Sequence, residues 1–445
     1  MAGRKFVGFC RAPTVTEEVY IAEVDLEDFE EYSSGGYHPT VIGDTFCDGR
    51  YELVHKLGFG GYSTIWLAKD KQLQRYVSLK ILIANEFSKS TEAKILPRSK
   101  FIPRLLDEFS TDSPNGHHVC LEDSSDFMFQ VETARSIAAQ LIKGLSYLHS
   151  QGVCHDLHVR NFLICGTDID HLDPLDFYRR YRLDMTPVRR VDGTAVGPHA
   201  PPYAVYPLHI KTPANSLVNP VIRISDFGTS FVVAEEPNPA LHTPDPYRPP
   251  EAFFNEPITL AADIWTLRVN LYEILGERCL FETFFWDRDD IIAEIVNTLG
   301  LLPKRWWEKW EARGEFFEAD GSWRKGGITR IFTPKFRRLH QRMWDMGRGE
   351  TPKTCQWDVE GGEMRALEEL LRGMMAFEPS ERLTAEEVHQ WPDSNPTIYL
   401  ALALSTVSDI GPGQNQQPLL PIIAIAITIQ LSPSPASSLS TRSPS

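Results

Sequence analysis

Short apolar runs separated by polar turns open the patterned part of the chain. "RYELVHKLG" (Arg50–Gly58) and "STIWLAKD" (Ser63–Asp70) flank a glycine cluster, and "RYVSLKILIA" (Arg75–Ala84) follows a polar turn. Runs of this length, rich in β-branched and aromatic residues and bounded by turn formers, predict an antiparallel sheet. "SKSTEAKILPR" predicts a helix that Pro97 stops. "FIPRLLDEF" and "HHVCLE" predict two more strands, joined through "SPNG". From Val131 the period changes. Ala134, Ile137, Ala138, Leu141, Ile142, Leu145 and Leu148 recur at helical spacing, and Gly152 closes the pattern. Further helical patterns are "AADIWTLRVNLYEILG", "RDDIIAEIVNTLG", "EMRALEELLRGMMAF" and "TAEEVHQW".

The pattern predicts an α+β, two-lobed fold: a small β-rich lobe, then a larger helical one. The expected parts are an acidic N-terminal segment over residues 1–48, the small lobe over 49–122 and the large lobe over 123–393. An irregular insertion rich in Pro, Asp and Arg spans 166–220, and a low-complexity, disordered tail spans 394–445. The tail holds one apolar run, "LLPIIAIAITIQL". It falls short of the ~17–25 residues of a membrane helix and reads instead as a sticky strand. A cleft between two lobes is a natural ligand site.

Charge narrows the partners. The formal net charge is −15, which argues against direct nucleic-acid binding and suits a basic partner or plain solubility. Seven widely spaced cysteines without a Cys-x-x-Cys pair read as a reducing compartment and no cysteine zinc site. "FVGF" after Met1 is too short for a signal peptide. The expectation is a monomer of the cytoplasm, the nucleus or both, with no membrane partner.

Four stretches carry chemistry. In "LGFGGYSTI", Leu57, Gly58, Phe59, Gly60, Gly61, Tyr62, Ser63 and Ile65 form a glycine-rich turn between two strand-like runs. Glycines there let backbone N–H groups approach phosphate closely; a hairpin with glycines for turn geometry alone is the plainer alternative. Lys80 sits among Val77, Leu79, Ile81 and Leu82, and needs a partner if it points inward. Glu92 could supply one; an exposed lysine on an alternating strand is the other reading. In "GVCHDLHVRNFLI", a carboxylate at Asp156 can take a proton from an attacking hydroxyl, and an amide oxygen at Asn161 can ligate magnesium, with His158 between them. In "IRISDFG", Asp226, Phe227 and Gly228 offer a metal carboxylate, a packing anchor and a pivot.

In this order the motifs resemble those of the eukaryotic protein kinases. "YRPPEAFF" with Glu251 is similar to the end of an activation segment. "ADIWTL" with Asp263 resembles the helix that ties down the catalytic loop. "PSERLTAEE" supplies Arg382, the expected buried partner of Glu251. The resemblance covers roughly residues 50–393 and is closest to the SR-protein kinases in their compact fungal form, through "EDFEEYSSGGYHPTVIGDTF", "LGFGGYSTIW", "DIDHLDP" and "PPYAVYP". It implies a serine/threonine kinase that moves the γ-phosphoryl of ATP, with Mg2+, to serine in Arg/Ser-rich proteins of mRNA processing. Asp156 is then the base, and Asn161 and Asp226 the metal ligands. Lys80, supported by Glu92, clamps phosphates under the flap Leu57–Ile65. Asp287, Asp289, Asp290 and Glu294 read either as an arginine-docking groove or as a helix start where acids favour the dipole.

The sequence departs from that family pattern in five places, one being the absence of the usual arginine that reads a phosphorylated activation loop. His155 directly precedes Asp156, where His-x-Asp is usual: either one residue is deleted, or Cys154 takes the histidine position and the gap lies elsewhere. His158 stands where the family carries a lysine, and a neutral imidazole would stabilise a departing phosphoryl less. About nine residues, Asp123–Val131, remain for the adenine-binding hinge and the helix after it. Arg268 follows "DIWTL" where glycine is usual. These departures keep a catalytically impaired, kinase-shaped scaffold open as a second reading. A small-molecule kinase is a third, which "PPE", "DIW" and Arg382 count against.

Overall fold

A computed structural model describes residues 19–86, 101–102, 109–121, 131–158, 161–165, 169–208, 220–236, 239–276, 278–283, 287–324, 337–394 and 424–426. The first strands are β1 (Thr45–Phe46), β2 (Tyr51–Gly60), β3 (Ser63–Asp70), β4 (Arg75–Leu82), β5 (Phe109–Ser113) and β6 (Gly116–Leu121). They form one antiparallel six-stranded sheet in the order β1-β2-β3-β4-β6-β5. Strand alternation sends neighbouring residues to opposite faces. Leu53, Trp66, Val77 and Leu79 therefore pack on one side, and Val54, Leu67 and Tyr76 on the other. The helix expected over "SKSTEAKILPR" and most of the run "FIPRLLDEF" lie outside the described residues; the strand after them starts at Phe109.

The large lobe begins with α1 (Val131–Ser150), whose periodic apolar face is buried. Gly144 lets it approach the sheet below: a Cβ there would come within 2.8 Å of the Ile224 side chain. Gly152, at φ +72°, supplies the left-handed turn after the helix. Next come β7 (Val153–Cys154), β8 (Phe162–Cys165), α2 (Pro174–Arg180), β9 (Met185–Pro187), β10 (Tyr203–Val205), β11 (Ile222–Ile224) and β12 (Phe231–Val232). The helices that follow are α3 (Pro250–Phe253), α4 (Ala261–Leu275), α5 (Arg288–Leu299), α6 (Lys304–Lys309), α7 (Arg313–Phe316), α8 (Leu339–Asp345), α9 (Glu363–Gly373) and α10 (Ala385–Ser394). Helix α4 is buried nearly all round and forms the centre of the lobe.

Two short antiparallel ladders matter most for the site. β7 pairs with β12, and β8 with β11. The loop between β7 and β8 and the loop between β11 and β12 are thereby held side by side. A further strand, β13 (Ala424–Ala426), comes from the apolar run of the tail and pairs antiparallel with β8.

The insertion is more regular than its composition suggests. Asp173 caps α2 by accepting the Asp176 N–H at 2.8 Å, Pro174 opens the helix, and Arg179 and Arg180 lie in its last turn. Strands β9 and β10 form a hairpin. Phe177 and Ile169 cover one face of the small-lobe sheet, and Val205 joins the other. The acidic N-terminal segment is docked as well: Leu26, Phe29, Tyr32 and Tyr37 pack with Ile83, Val188 and Ala204. Its aromatic residues find apolar partners while most of its acids stay in water.

Candidate active site

Lys80 lies in β4 opposite Ile65 of β3, and points inward. Its Nζ is 2.7 Å from Oδ1 of Asp226, which follows β11. The Lys80 side chain is 5% exposed and that of Asp226 52%, so the lysine comes from the protein side and the carboxylate opens outward. The Lys80 charge, joined by its hydrogen bond, holds the Asp226 carboxyl at about 2. Asp226 sits at φ 64°, in the left-handed region that few non-glycine residues adopt. The next residue, Phe227, packs edge-on against His155 with ring centroids 4.5 Å apart. Glu92, the carboxylate expected beside Lys80, lies outside the described residues.

The opposite loop is anchored by α4. The Asp263 carboxylate accepts the backbone N–H of His155 at 2.7 Å and of Asp156 at 3.0 Å, and meets Nε2 of His149 at 3.1 Å. Burial pushes the Asp263 carboxyl up, but these donors outweigh it and hold it below its ordinary range. Asp156 is at φ 67° and is buried. Its Oδ2 accepts the His242 N–H at 2.7 Å, and its Oδ1 accepts the Thr243 N–H at 3.1 Å together with the Thr243 hydroxyl. Burial nevertheless raises the Asp156 carboxyl above its ordinary range. Burial also lowers the His155 imidazole, favouring its neutral form.

Asn161 closes the loop. Its Oδ1 accepts the His158 N–H, and its carbonyl accepts the Ser225 N–H, both at 2.7 Å. An amide oxygen has two lone pairs, so one remains for a further partner. That oxygen and the ionised Asp226 carboxylate are donors of the hard kind a divalent cation takes. Of the flap residues, Gly58, Gly60 and Gly61 lie at the β2–β3 turn, where Gly60 is opposite Ser63. Phe59 and Tyr62 are exposed; Leu57 and Ser63 are buried. Tyr62 meets the His242 ring edge-on at 6.0 Å, so flap and activation segment touch across the opening.

The acidic quartet divides. Asp287 caps α5, and Asp289 accepts the Trp310 indole N–H at 2.8 Å. Asp290 and Glu294 are buried, and Glu294 pairs with Arg342 at 2.6 Å. Two of the four acids are thus spent inside the lobe, which rules against the quartet as an open arginine groove. Sequence reading missed Thr243, His242 and His149. Their only sequence signals are position: two lie in the segment between Asp226 and Glu251, and one in the last turn of α1.

The protein kinase domain family matches residues 51–177 and 210–392, more than half of the chain. A serine/threonine protein kinase of Aspergillus fumigatus is 24% identical over 397 residues, 82% of this chain and 89% of that one. The serine/threonine-protein kinase SRPK of Physarum polycephalum is 25% identical over 413 residues, 82% of this chain and 90% of that one. Human SRSF protein kinase 3 is 35% identical over 172 residues, 32% of this chain and 30% of that one.

Proposed function

As the chain belongs to the protein kinase family and is an SRPK-like serine/threonine protein kinase, we propose that its acceptor is serine in Arg/Ser-rich proteins. ATP is the phosphoryl donor. Lys80 would clamp its phosphates under the flap Leu57–Ile65, with Glu92 as its proposed support. Asn161 and Asp226 would hold Mg2+, which would supply charge neutralisation on the phosphate oxygens. Asp156 takes the proton of the serine hydroxyl as the Oγ–phosphorus bond forms and the bond to ADP breaks. His158 would act on the transferring group from the same loop. The net charge of −15 suits a basic substrate. The working form is a monomer of the cytoplasm, the nucleus or both. Neither nucleic acid nor a membrane is among the proposed partners. Among the described residues no helix is long and apolar enough to cross a membrane.

The observation that carries the chemistry is the reach of Lys80, on the small-lobe sheet, to Asp226 on the large lobe. The test is phosphate transfer to an Arg/Ser peptide and to a Lys/Ser control. Transfer should favour the arginine peptide and be abolished in Lys80→Ala and Asp156→Ala. Undiminished transfer in either variant overturns the site assignment, and equal use of both peptides overturns the substrate class.

A further inference from the structure

We propose that the acidic N-terminal segment is the positioning element of the phosphate flap, acting through Tyr37. The inference rests on the reading that Leu57–Ile65 covers the nucleotide phosphates. The Tyr37 hydroxyl donates to the Gly60 carbonyl at 2.8 Å, and the ring is 3% exposed. In a trans peptide the C=O of Gly60 and the N–H of Gly61 lie in one plane and point in opposite directions, and the described chain has no cis peptide. Fixing the Gly60 oxygen toward Tyr37 therefore aims the Gly61 N–H away from it. On the other side of the two-residue turn, Ile83 N–H donates to the Tyr62 carbonyl at 2.9 Å. Both flanking peptide planes are held from outside the flap.

The flap needs such a hold. A Cβ at Gly58, Gly60 or Gly61 would meet nothing within 4 Å, so packing does not restrain these glycines. Glycine also has the largest conformational freedom to lose. Order imposed before the nucleotide arrives is order that binding need not supply. Tyr37 is itself well held. Asn115 Nδ2 donates to its carbonyl at 2.6 Å, Ala84 N–H donates to Gly36 O at 3.1 Å, and the Tyr32 ring lies edge-on at 5.5 Å. The segment grips the base of the flap too. Buried Glu27 pairs with buried Lys56, the residue before Leu57, and accepts the Tyr32 hydroxyl at 2.6 Å.

The experiment uses the full chain and Tyr37→Phe, which keeps the ring and removes only the donor. In nucleotide-free protein, amide hydrogen exchange over residues 58–64 should quicken in the variant. The KM for ATP should rise about five-fold, the scale of one net hydrogen bond, while kcat and the KM for peptide change less. Glu27→Gln should act in the same direction from the base of the flap. Exchange and ATP affinity equal to wild type in both variants overturn the inference. The exchange readout needs no turnover. Quickened exchange in a chain that leaves Arg/Ser peptide untouched would therefore sink the substrate reading and keep this one. Unchanged exchange in an active enzyme would do the reverse.

Discussion

Thr243 and Asp156 are joined twice, since the Thr243 hydroxyl and the Thr243 N–H both donate to Oδ1 of the Asp156 carboxylate. With Asp156 as the base proposed above, a serine substrate must share or displace the first of these bonds to reach it. The hydroxyl also stabilises the charged form of Asp156 against the burial that raises its pKa. Removing it in Thr243→Val should raise that pKa further. A base works only when unprotonated, so the acid limb of the kcat/KM profile should move to higher pH. Peptide phosphorylation measured from pH 5 to 9 checks this. A shift to lower pH would show that Thr243 does not hold the catalytic carboxylate. Asp156→Asn should cost about 10²–10⁴-fold in rate.

Arg268 lies in the middle of α4, fully buried, and none of its three guanidinium nitrogens has a hydrogen-bond partner among the described residues. Burial pushes its pKa well below the ordinary arginine value, and Arg342 and Arg372 add like charge. A buried cation without a counter-ion is costly, and an apolar side chain of similar volume is often better. Arg268→Met should stabilise the fold by about 1–3 kcal/mol. Urea unfolding at neutral pH is the measurement. A lower midpoint in the variant would mean that the guanidinium is satisfied in solution.

Glu251 and Arg382 form the opposite case. The guanidinium meets both carboxylate oxygens, at 2.7 and 2.6 Å, and also donates to the carbonyls of Ala261, Ala376 and Phe377. Both side chains are buried. Arg382→Ala leaves a buried carboxylate alone and should cost about 3–5 kcal/mol. The double variant with Glu251→Ala should lose less than the sum of the two single losses. Additive losses in a double-mutant cycle would count against a direct pair.

These cases mark what could be read from the sequence. The long helix α1 follows from period, while the Glu251–Arg382 pair follows from the kinase resemblance that motif order carries; for Lys80 the sequence left inward and exposed readings open. Arg268 could be flagged, because a large cation at the centre of an apolar helix is anomalous wherever the helix packs. The fate of Asp290 and Glu294 could not be read. Acids at a helix start look solvated, and only the fold brings Arg342 to Glu294. The insertion misled for a related reason: its Asp, Pro and Arg are cap, first residue and last turn of α2, a composition that also describes a loop. Thr243 and Tyr37 act through single hydroxyls on distant partners, and spacing along the chain carries no trace of that.

Glu273, five residues beyond Arg268 on α4, makes the fold sensitive to pH. It is buried, its Oε2 accepts the Tyr247 hydroxyl at 2.8 Å, and Tyr247 stands at the end of the activation segment. Burial raises its carboxyl from 4.5 to about 7, with the Tyr247 hydroxyl and the Cys279 thiol opposing the shift. The folded state therefore holds a proton that the unfolded state releases between those values. Over that window the unfolded chain binds fewer protons, so stability falls as pH rises, at ~1.4 kcal/mol per pH unit for one group. The contribution is fully present below about pH 4.5 and lost above about pH 7. Glu273→Gln keeps the shape and an acceptor for Tyr247 but has no proton to lose. Its stability relative to wild type should rise steadily from pH 5 to 7 and then level off. Urea midpoints for both proteins at pH 5, 6, 7 and 8 measure that difference, and parallel curves would show that Glu273 is not the group that titrates.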